Sequence, residues 1–368
     1  MKKTKIGILG CGNISGIYMK NLTSMFLNVE VIAVCDIIVE RAQAHADTYN
    51  IPNVYASNKE MLGNKDIEIV VNLTTPDQHY ITSKEVLMAG KSVHCEKPMA
   101  LSVEDGEELL NLAKEKNLLI GNAPDTFLGA GIQTCRKLID DGFIGTPISA
   151  TAYLMCAGHE SWHPDPEFYY QAGGGPMLDM GPYYVTALVS LLGSVKRLCG
   201  MTKQSFPYRT ITSEKKFGKQ VPVEVETFVS GLMEFDNGVI ANIITTFDVQ
   251  ASGLKWLEIH GTEGSIQVPD PNCFEGPVML SRKGHDDFME IPLTHAYAEN
   301  SRGLAVSDMA SALQNGRKNR ANGDLSFHVL DIMLGFEKSS KSGKFYRPKS
   351  KVKRPAAMKN NLINGDID

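Results

Sequence analysis

The chain has no apolar stretch approaching the roughly eighteen residues of a membrane-spanning helix, so no such helix is expected. It also has no C-x-x-C pair and no histidine cluster at metal-ligand spacing, and no metal site is predicted. Its seven cysteines are scattered, mostly within apolar runs. They are interpreted as buried thiols in a reducing cytoplasm rather than as disulfides.

The chain also has no excess of basic residues. The formal net charge of −5 argues against nucleic acid or an anionic membrane as the main partner. The N-terminus leads directly into the first predicted strand, so no signal peptide is expected. What the chain does have is 368 residues, 43% hydrophobic and 21% charged. That composition is typical of a soluble globular protein, and the length suits two domains of ordinary size.

The N-terminal segment KIGILGCGNIS joins an apolar run to two glycines and a helix-like continuation. A strand that turns sharply into a helix brings backbone N–H groups and a helix N-terminus up to a pyrophosphate. Gly10 permits the tight turn, and Gly12 lets the phosphates approach without meeting a Cβ. Asn13 and Ile14 follow in the same turn and are predicted to contact the cofactor. The third position of the fingerprint is Ser15 instead of glycine.

The next apolar run, 29–35, ends in Asp36. An acid at this strand end accepts hydrogen bonds from the adenosine ribose hydroxyls and repels a 2′-phosphate, which favours NAD over NADP. Arg41 is a candidate phosphate ligand, although a helix-surface arginine beside Glu40 is the simpler interpretation.

Strand-like and helix-like patterns alternate through the first third of the chain, which predicts an α/β fold with a doubly wound parallel sheet. The predicted strands are 5–10, 29–35, 67–73, 92–95 and 118–122, and the predicted helices are 13–26, 38–49, 77–89, 102–116 and 129–140.

Beyond Gly145 the pattern changes to a period of two, which predicts a largely antiparallel sheet. Asp236-Asn237-Gly238 between two Val/Ile-rich runs is a hairpin signal. The predicted strands are 147–156, 223–235, 238–247, 255–260 and 264–268, followed by helices at 303–314 and 326–340.

Two strand ends in the first third carry candidate site residues, because the carboxyl ends of parallel strands face the ligand crevice. In the loop 72–79, Thr74, Pro76 and His79 are candidates; Pro76 suits an early helical position, and His79 either reaches the cofactor or packs. The next strand ends in Glu96 and Lys97. Desolvation would lower the pKa of this lysine and make it a proton donor or an electrostatic anchor, unless it is a surface lysine.

The segment GGGPMLDMGPYY places Asp179 and Tyr183 one helical turn apart, so both side chains can enter one cleft. Pro182 bends a helix there, or the helix begins near 182. Without further context, a Tyr-Tyr pair belongs more often to a core than to a catalytic group.

The segment 159–170 combines hydrogen-bonding and aromatic side chains, which suits a hydroxylated ring. His159, Trp162 and His163 are its candidate substrate residues. The two histidines of the segment also suggest a metal site, but no third ligand is spaced suitably. An interface or a lid loop remains an alternative.

These motifs resemble those of the Gfo/Idh/MocA oxidoreductases, the family of glucose–fructose oxidoreductase and inositol dehydrogenase. The resemblance covers nearly the whole chain and rests on the segments GCGNIS, TTPDQHY, HCEKP, GGGPMLDMGPYY and LEIHGTEGSIQV. The commoner family pattern has histidine where this chain has Tyr183. Tyrosine there is similar to the glucose–fructose oxidoreductase and dihydrodiol dehydrogenase branches.

The resemblance implies that Lys97, Asp179 and Tyr183 form the catalytic group. It also implies that Glu96 lies near the nicotinamide ribose and that Thr74 and Pro76 contact the cofactor. A Rossmann domain over 1–124 is expected, then an α/β substrate-binding and oligomerisation domain with an open, mostly antiparallel sheet over 125–348 and a loosely held polar tail over 349–368. One face of the open sheet is expected to pack against another subunit, giving a homodimer or homotetramer.

The predicted reaction is reversible hydride transfer between a secondary alcohol carbon and C4 of a nicotinamide. A lysine ammonium near the Tyr183 phenol is expected to favour the tyrosinate. The predicted substrate is a sugar, inositol or other polyol, or the matching ketone. Two alternatives remain open: a glycosidase that oxidises a ring carbon transiently with bound NAD, and a non-catalytic sugar or nucleotide sensor.

Overall fold

The computed structural model describes residues 2–285 and 287–368. The first third of the chain forms a six-stranded parallel sheet in the order β3-β2-β1-β4-β5-β6, which confirms the predicted doubly wound fold. Its elements are β1 (Thr4–Leu9), α1 (Ser15–Ser24), β2 (Val29–Cys35), α2 (Val39–Tyr49), β3 (Asn53–Tyr55), α3 (Asn58–Leu62), β4 (Ile69–Asn72), α4 (His79–Met88), β5 (Ser92–Cys95), α5 (Val103–Lys116) and β6 (Ile120–Asn122).

Local sequence explains these elements. The four residues of β4 are all buried, as expected of an apolar run at the centre of a parallel sheet, and Val70 and Val71 enter the cores on opposite faces. The helix α5 begins after Ser102, whose side chain accepts a hydrogen bond from the Asp105 N–H at 3.0 Å. It ends at Asn117, which adopts a left-handed conformation with φ of 53°.

The second half contains an eight-stranded sheet in the order β16-β15-β14-β13-β7-β12-β11-β8. Its neighbouring strands are antiparallel except for the parallel pair β7–β12, so the prediction of an open, mostly antiparallel sheet is confirmed. A separate hairpin joins β9 and β10. The elements are α6 (Ala130–Asp140), β7 (Pro147–Met155), α7 (Pro176–Asp179), α8 (Gly181–Leu192), β8 (Val195–Lys203), β9 (Tyr208–Thr210), β10 (Gln220–Pro222), β11 (Phe228–Phe235), β12 (Ile240–Thr246), β13 (Leu257–Gly261), β14 (Gly264–Val268), β15 (Val278–Arg282), β16 (Met289–Ile291), α9 (Leu304–Asn315) and α10 (Gly323–Ser342).

Helices cover one face of this sheet and connect it to the first. The helix α8 is buried along its whole length and packs against α6 and α10. In turn, α10 packs on β8 and on α5, so one helix contacts elements of both halves. None of the helices in the described ranges has the length and apolar character needed to cross a bilayer.

The tail 349–368 differs from the prediction of a loosely held segment. Met358 is buried, and its N–H donates to the Gln133 side chain at 2.8 Å. The buried Arg320 guanidinium donates to the Ala357 carbonyl at 3.2 Å and to the Asp368 carboxylate at 2.7 Å. The prediction was based on the basic residues of the tail. It did not consider the apolar residues and hydrogen-bond acceptors that lie between them. The domain limits at 124 and 348 stay predictions.

Candidate active site

The strand order of the parallel sheet reverses between β1 and β4, which opens a crevice at the carboxyl ends of these strands. The loops that follow β1, β4 and β5 carry most of the predicted site residues, and Asp36 follows β2.

The glycine turn after β1 leaves open space where a phosphate would lie. Gly10 has φ of +93°, and a Cβ there would lie 2.7 Å from the Leu73 backbone, so only glycine fits. A Cβ on Gly12 would meet no protein atom within 4 Å. The helix α1 begins at Ser15, whose hydroxyl donates to the Gly12 carbonyl at 2.6 Å. With Ile14 at its N-cap and no acid in its first turn, the N-terminus of α1 suits an anion.

Asp36 lies directly beside this turn. Its buried carboxylate accepts hydrogen bonds from the Cys11 N–H at 2.7 Å and the Ile38 N–H at 2.8 Å, which fixes its orientation. Burial raises the pKa of the Cys11 thiol to about 12, while the charge of the exposed Arg41 acts in the opposite direction. Arg41 is therefore close enough to the turn to act on it electrostatically. The exposed Asn13 and the half-buried Ile14 complete the predicted cofactor contacts there.

The loop after β4 is held by Asn72. Its side-chain oxygen accepts from the Thr74 hydroxyl at 2.6 Å, and its amide donates to the His79 carbonyl at 3.2 Å. The helix α4 begins at His79 and not at 77, so Pro76 lies in the turn before the helix and not in its first turn. Thr74 and Pro76 remain partly exposed.

His79 is buried, and its ring contacts stabilise this loop. Its ring nitrogens lie 2.7 Å from the Pro98 carbonyl oxygen and 3.0 Å from that of Thr74. With 1% of its surface exposed, the ring has no free face for a cofactor. Of the two interpretations that the sequence left open, the packing role fits these contacts.

Glu96 and its neighbours hold the end of β5. The Glu96 carboxylate accepts from the Tyr18 hydroxyl at 2.8 Å and from the Lys97 N–H at 3.0 Å. The Asn122 amide donates to the carbonyl oxygens of Cys95 at 2.6 Å and Glu96 at 2.9 Å. Sequence reasoning missed Tyr18 and Asn122, because neither forms part of a motif.

Lys97 forms an ion pair with Asp179 across the crevice. Its Nζ donates to the Asp179 Oδ1 and to the Asp179 carbonyl oxygen, both at 2.7 Å. Burial alone would lower the pKa of Lys97, but the charges of Asp179, Tyr183 and Glu96 raise it above the usual value. The prediction of a lowered pKa was therefore wrong, because it did not include the carboxylate. Burial would raise the pKa of Asp179, yet Lys97 and His159 hold it at about 2.

Tyr183 lies against the same lysine. The Lys97 Nζ is 5.3 Å from the centre of the phenol ring. The chain is not one continuous helix here: α7 ends at Asp179 and α8 begins at Gly181, with Pro182 in its first turn. Of the two alternatives for this segment, the restart near 182 is therefore correct.

The expected tyrosinate is not favoured in this environment. Burial raises the pKa of Tyr183 above its ordinary value of 10, and the opposing charges of Lys97 and Arg302 do not cancel this effect. The phenol is therefore protonated near neutral pH.

In the segment 159–170, His159 approaches Asp179 and His163 does not. The His159 Nε2 is 3.4 Å from the Asp179 Oδ2, without the alignment of a hydrogen bond. Its ring centre is 4.1 Å from that of Tyr169. Trp162 is 60% exposed and lies edge-on to His159 at 5.2 Å.

The contacts of His163 lie within its own segment. Its Nδ1 accepts the Asp165 N–H at 3.0 Å, and its ring packs on Phe168 and Tyr169. Within residues 2–285 and 287–368, no group of three or more His, Cys, Asp or Glu side chains is arranged to hold a metal ion.

Arg302 is a further residue that sequence reasoning missed. It precedes α9, and its charge opposes the rise that burial causes in the pKa of Tyr183, while Tyr183 in turn raises the pKa of Arg302 against the effect of burial. No local pattern marks it, because Arg302 and Tyr183 are distant in the sequence.

Two family models match separate parts of the chain. A model described as the oxidoreductase family with an NAD-binding Rossmann fold matches residues 4–123. A model described as the GFO/IDH/MocA C-terminal domain matches residues 132–267.

Curated relatives and a solved structure agree with these matches. A 1,5-anhydro-D-fructose reductase of Ensifer adhaerens is 29% identical, with 85% of this chain and 90% of the relative covered. An inositol 2-dehydrogenase of Salmonella typhimurium is 33% identical over 39% of this chain and 44% of its own length. The structure of levoglucosan dehydrogenase in complex with NADH and L-sorbose covers 95% of this chain and all of its own, with 20% identity and a TM-score of 0.80. The chain therefore belongs to the Gfo/Idh/MocA family of NAD-binding oxidoreductases.

Proposed function

We propose that this enzyme interconverts a secondary alcohol and its ketone on a sugar, inositol or related polyol, with a nicotinamide as the redox partner. A bound nicotinamide supplies the hydride acceptor or donor. The observation that carries the proposal is the Lys97–Asp179 ion pair beside the Tyr183 phenol, at the carboxyl edge of the parallel sheet. Three relatives named as acting on 1,5-anhydro-D-fructose, inositol and levoglucosan support the substrate class.

Proton transfer falls to Tyr183 in this proposal. Its phenol is protonated near neutral pH, so it suits proton donation to a carbonyl oxygen in the reduction direction. Lys97 keeps its charge and stabilises negative charge that develops on the same oxygen. Asp179 fixes the lysine, and His159 and Trp162 offer a polar edge and an aromatic face to a hydroxylated ring.

The direct test is a redox assay on a panel of substrates. NADH formation is followed by absorbance with inositols, anhydrosugars and aldoses, and NADH consumption with the matching ketoses. We expect turnover on at least one member of the panel. Binding of NADH without turnover on any member would contradict the proposal and favour a sensor.

Gly12 gives a prediction about cofactor binding. In the variant Gly12→Val the side chain would fill the open space above the turn, where it meets no protein atom. We expect a native melting temperature and a loss of NADH affinity of about 100-fold or more, measured by fluorescence titration. The control is Gly253→Val, since Gly253 is also open but lies outside the crevice. Unchanged NADH affinity in Gly12→Val would contradict the predicted phosphate position.

The buried carboxylate of Asp36 leads us to propose NAD as the preferred cofactor. Asp36→Asn removes the charge and keeps one side-chain oxygen, which can accept from the Cys11 or the Ile38 N–H but not from both, because the two groups bond different carboxylate oxygens. We expect the wild type to prefer NAD+ over NADP+ by roughly 100-fold in kcat/KM, and the variant to narrow this ratio by about tenfold. Asp47→Asn, in the adjacent helix, is the control. A wild-type enzyme that uses NAD+ and NADP+ equally well would contradict the assignment of NAD as the preferred cofactor.

We also propose that the uncovered face of the eight-stranded sheet forms a homodimer or homotetramer interface. Several large apolar side chains protrude from it among polar ones, including Met201, Leu232, Ile240 and Trp256, which are 80%, 45%, 54% and 45% exposed. Leu232→Asp is expected to yield a monomer in light scattering, while Leu27→Asp, at an exposed leucine outside the sheet, leaves the assembly unchanged. A monomeric wild type would contradict this proposal.

A further inference from the structure

Arg209, on β9, is a largely buried arginine that binds two separate loops, and its side chain is only 10% exposed. Its Nε donates to the Glu160 carboxylate, and its Nη1 donates to the Asp248 carboxylate at 2.9 Å. Its Nη2 donates to the carbonyl oxygens of Ala157 at 2.5 Å and Phe247 at 3.0 Å. The guanidinium therefore joins the chain that follows β7 to the chain that follows β12.

Three of these contacts surround His159. Ala157 and Glu160 stand on either side of it in the sequence, so Arg209 binds the chain both before and after the histidine. On the other loop, the Phe247 ring centre is 4.6 Å from that of His159. One cation thus anchors the chain that carries the imidazole and the residue on which the imidazole packs.

The chain passes very close to the guanidinium at Gly158. This glycine has φ of +91°, and a Cβ there would lie 2.6 Å from the Arg209 Nη2 and 2.3 Å from the Glu160 Oε2. The segment after β9 adds backbone contacts, because the Glu160 carbonyl accepts from the N–H groups of Thr212 at 3.0 Å and Ser213 at 2.8 Å. The loop is therefore fastened to the β9–β10 hairpin by side-chain and main-chain bonds together.

The imidazole itself has little to hold it in place. The His159 Nε2 has no hydrogen-bond partner among the described residues and lies 3.4 Å from the Asp179 Oδ2. The ring packs against Tyr169 at 4.1 Å and Trp162 at 5.2 Å between ring centres. Since no hydrogen bond of this nitrogen fixes the ring, its position depends on packing and on the main chain that carries it.

We infer that Arg209 is a positioning residue, which keeps His159 within reach of the substrate by fixing the main chain on both sides of it. This inference rests on the proposed function, in which His159 offers a polar edge to a hydroxylated ring. Arg209 does not bind the substrate itself, because its N–H groups already serve two carboxylates and two carbonyl oxygens. The β9–β10 hairpin thereby becomes part of the machinery that builds the site.

The first test is hydrogen-exchange mass spectrometry, which needs no substrate. We expect Arg209→Met to speed amide exchange over 157–163 by about tenfold or more, and Arg209→Lys to recover part of the protection. The control is Arg136→Met, because Arg136 is similarly buried, at 13% exposed, but donates to the carbonyls of Ser190 and Pro355. Unchanged exchange over 157–163 in Arg209→Met would overturn the inference, whether or not any substrate is turned over.

A milder variant separates local positioning from global stability. Loss of Arg209 leaves two largely buried carboxylates without their partner, which destabilises the whole protein. Glu160→Gln keeps an oxygen for the Arg209 Nε and removes only the charge. We expect it to speed exchange over 157–163 by about threefold with an unchanged melting temperature. A lower melting temperature with faster exchange throughout the chain would contradict the inference and indicate a purely structural role.

The second test is a double-mutant cycle between Arg209 and His159. On the best substrate, Arg209→Met is expected to raise KM by about tenfold, with a change in kcat of less than about threefold. His159→Ala is expected to raise KM at least as much, and adding Arg209→Met to it should have no further effect, because the arginine acts through the histidine. Additive effects on kcat/KM would overturn the inference. Absence of turnover on every substrate would count against the proposed function, and the exchange measurement would then decide this inference.

Discussion

Replacing Lys97 by methionine is expected to lower kcat by about 10²–10⁴-fold while NADH affinity stays within about threefold of the wild type. The variant keeps the length of the side chain but removes the ammonium that would stabilise negative charge on the substrate oxygen. It also leaves the Asp179 carboxylate without its main partner in a largely buried position. Initial rates on the best substrate and a fluorescence titration with NADH measure the two quantities.

A surface lysine in a similar setting serves as the control. Lys84 pairs with Glu108 at 2.6 Å and lies 5.4 Å from the Tyr80 ring centre, but its side chain is 41% exposed. Lys84→Met is expected to retain full turnover. Wild-type turnover in Lys97→Met, with native NADH binding, would refute the role assigned to Lys97.

Replacing Tyr183 by phenylalanine is expected to lower kcat by a similar factor and to remove a limb of the pH profile. In the wild type, burial raises the pKa of Tyr183 above 10, so the phenol keeps its proton through neutral pH. The rate of ketone reduction should therefore be level through neutral pH and fall only in alkali as the phenol ionises. Lys97, with a raised pKa, and Asp179, with a pKa of about 2, stay charged and add no limb between about pH 4 and 9.

The neighbouring tyrosine provides the matched control. Tyr184 is fully buried, and its hydroxyl has no hydrogen-bond partner among the described residues. Tyr184→Phe is thus expected to keep the wild-type rate and pH profile. If Tyr183→Phe retained both the rate and the alkaline limb, Tyr183 would not be the proton donor.

Much of the fold could be predicted because it is encoded locally. Strand–helix alternation indicated the parallel sheet, and Asp236-Asn237-Gly238 correctly marked the hairpin between β11 and β12. The strands that were missed are β3, β8, β9, β10, β15 and β16. Strand β8 carries charged residues among its apolar ones, and β16 has only three residues, so neither shows a clear alternation.

The residues of the candidate site also fall into those that local motifs predict and those that only the folded chain brings together. Lys97, Asp179 and Tyr183 stand in short motifs, and they were predicted as a group from the family resemblance of those motifs. Arg302 was not predicted, since its electrostatic effect on Tyr183 exists only in the folded chain. The pKa directions of Lys97 and Tyr183 were both predicted wrongly, because each depends on a balance between burial and neighbouring charges that spacing does not reveal.

The interruption between α7 and α8 has a consequence for mutagenesis. In an unbroken helix the main-chain oxygen of Asp179 would bond the amide of Tyr183, but that amide bonds Met180 instead. The freed oxygen becomes a second anchor for the lysine, and no side-chain substitution can delete it. Asp179→Ala would therefore leave half of the tether intact, and a mild phenotype there would understate what the residue contributes.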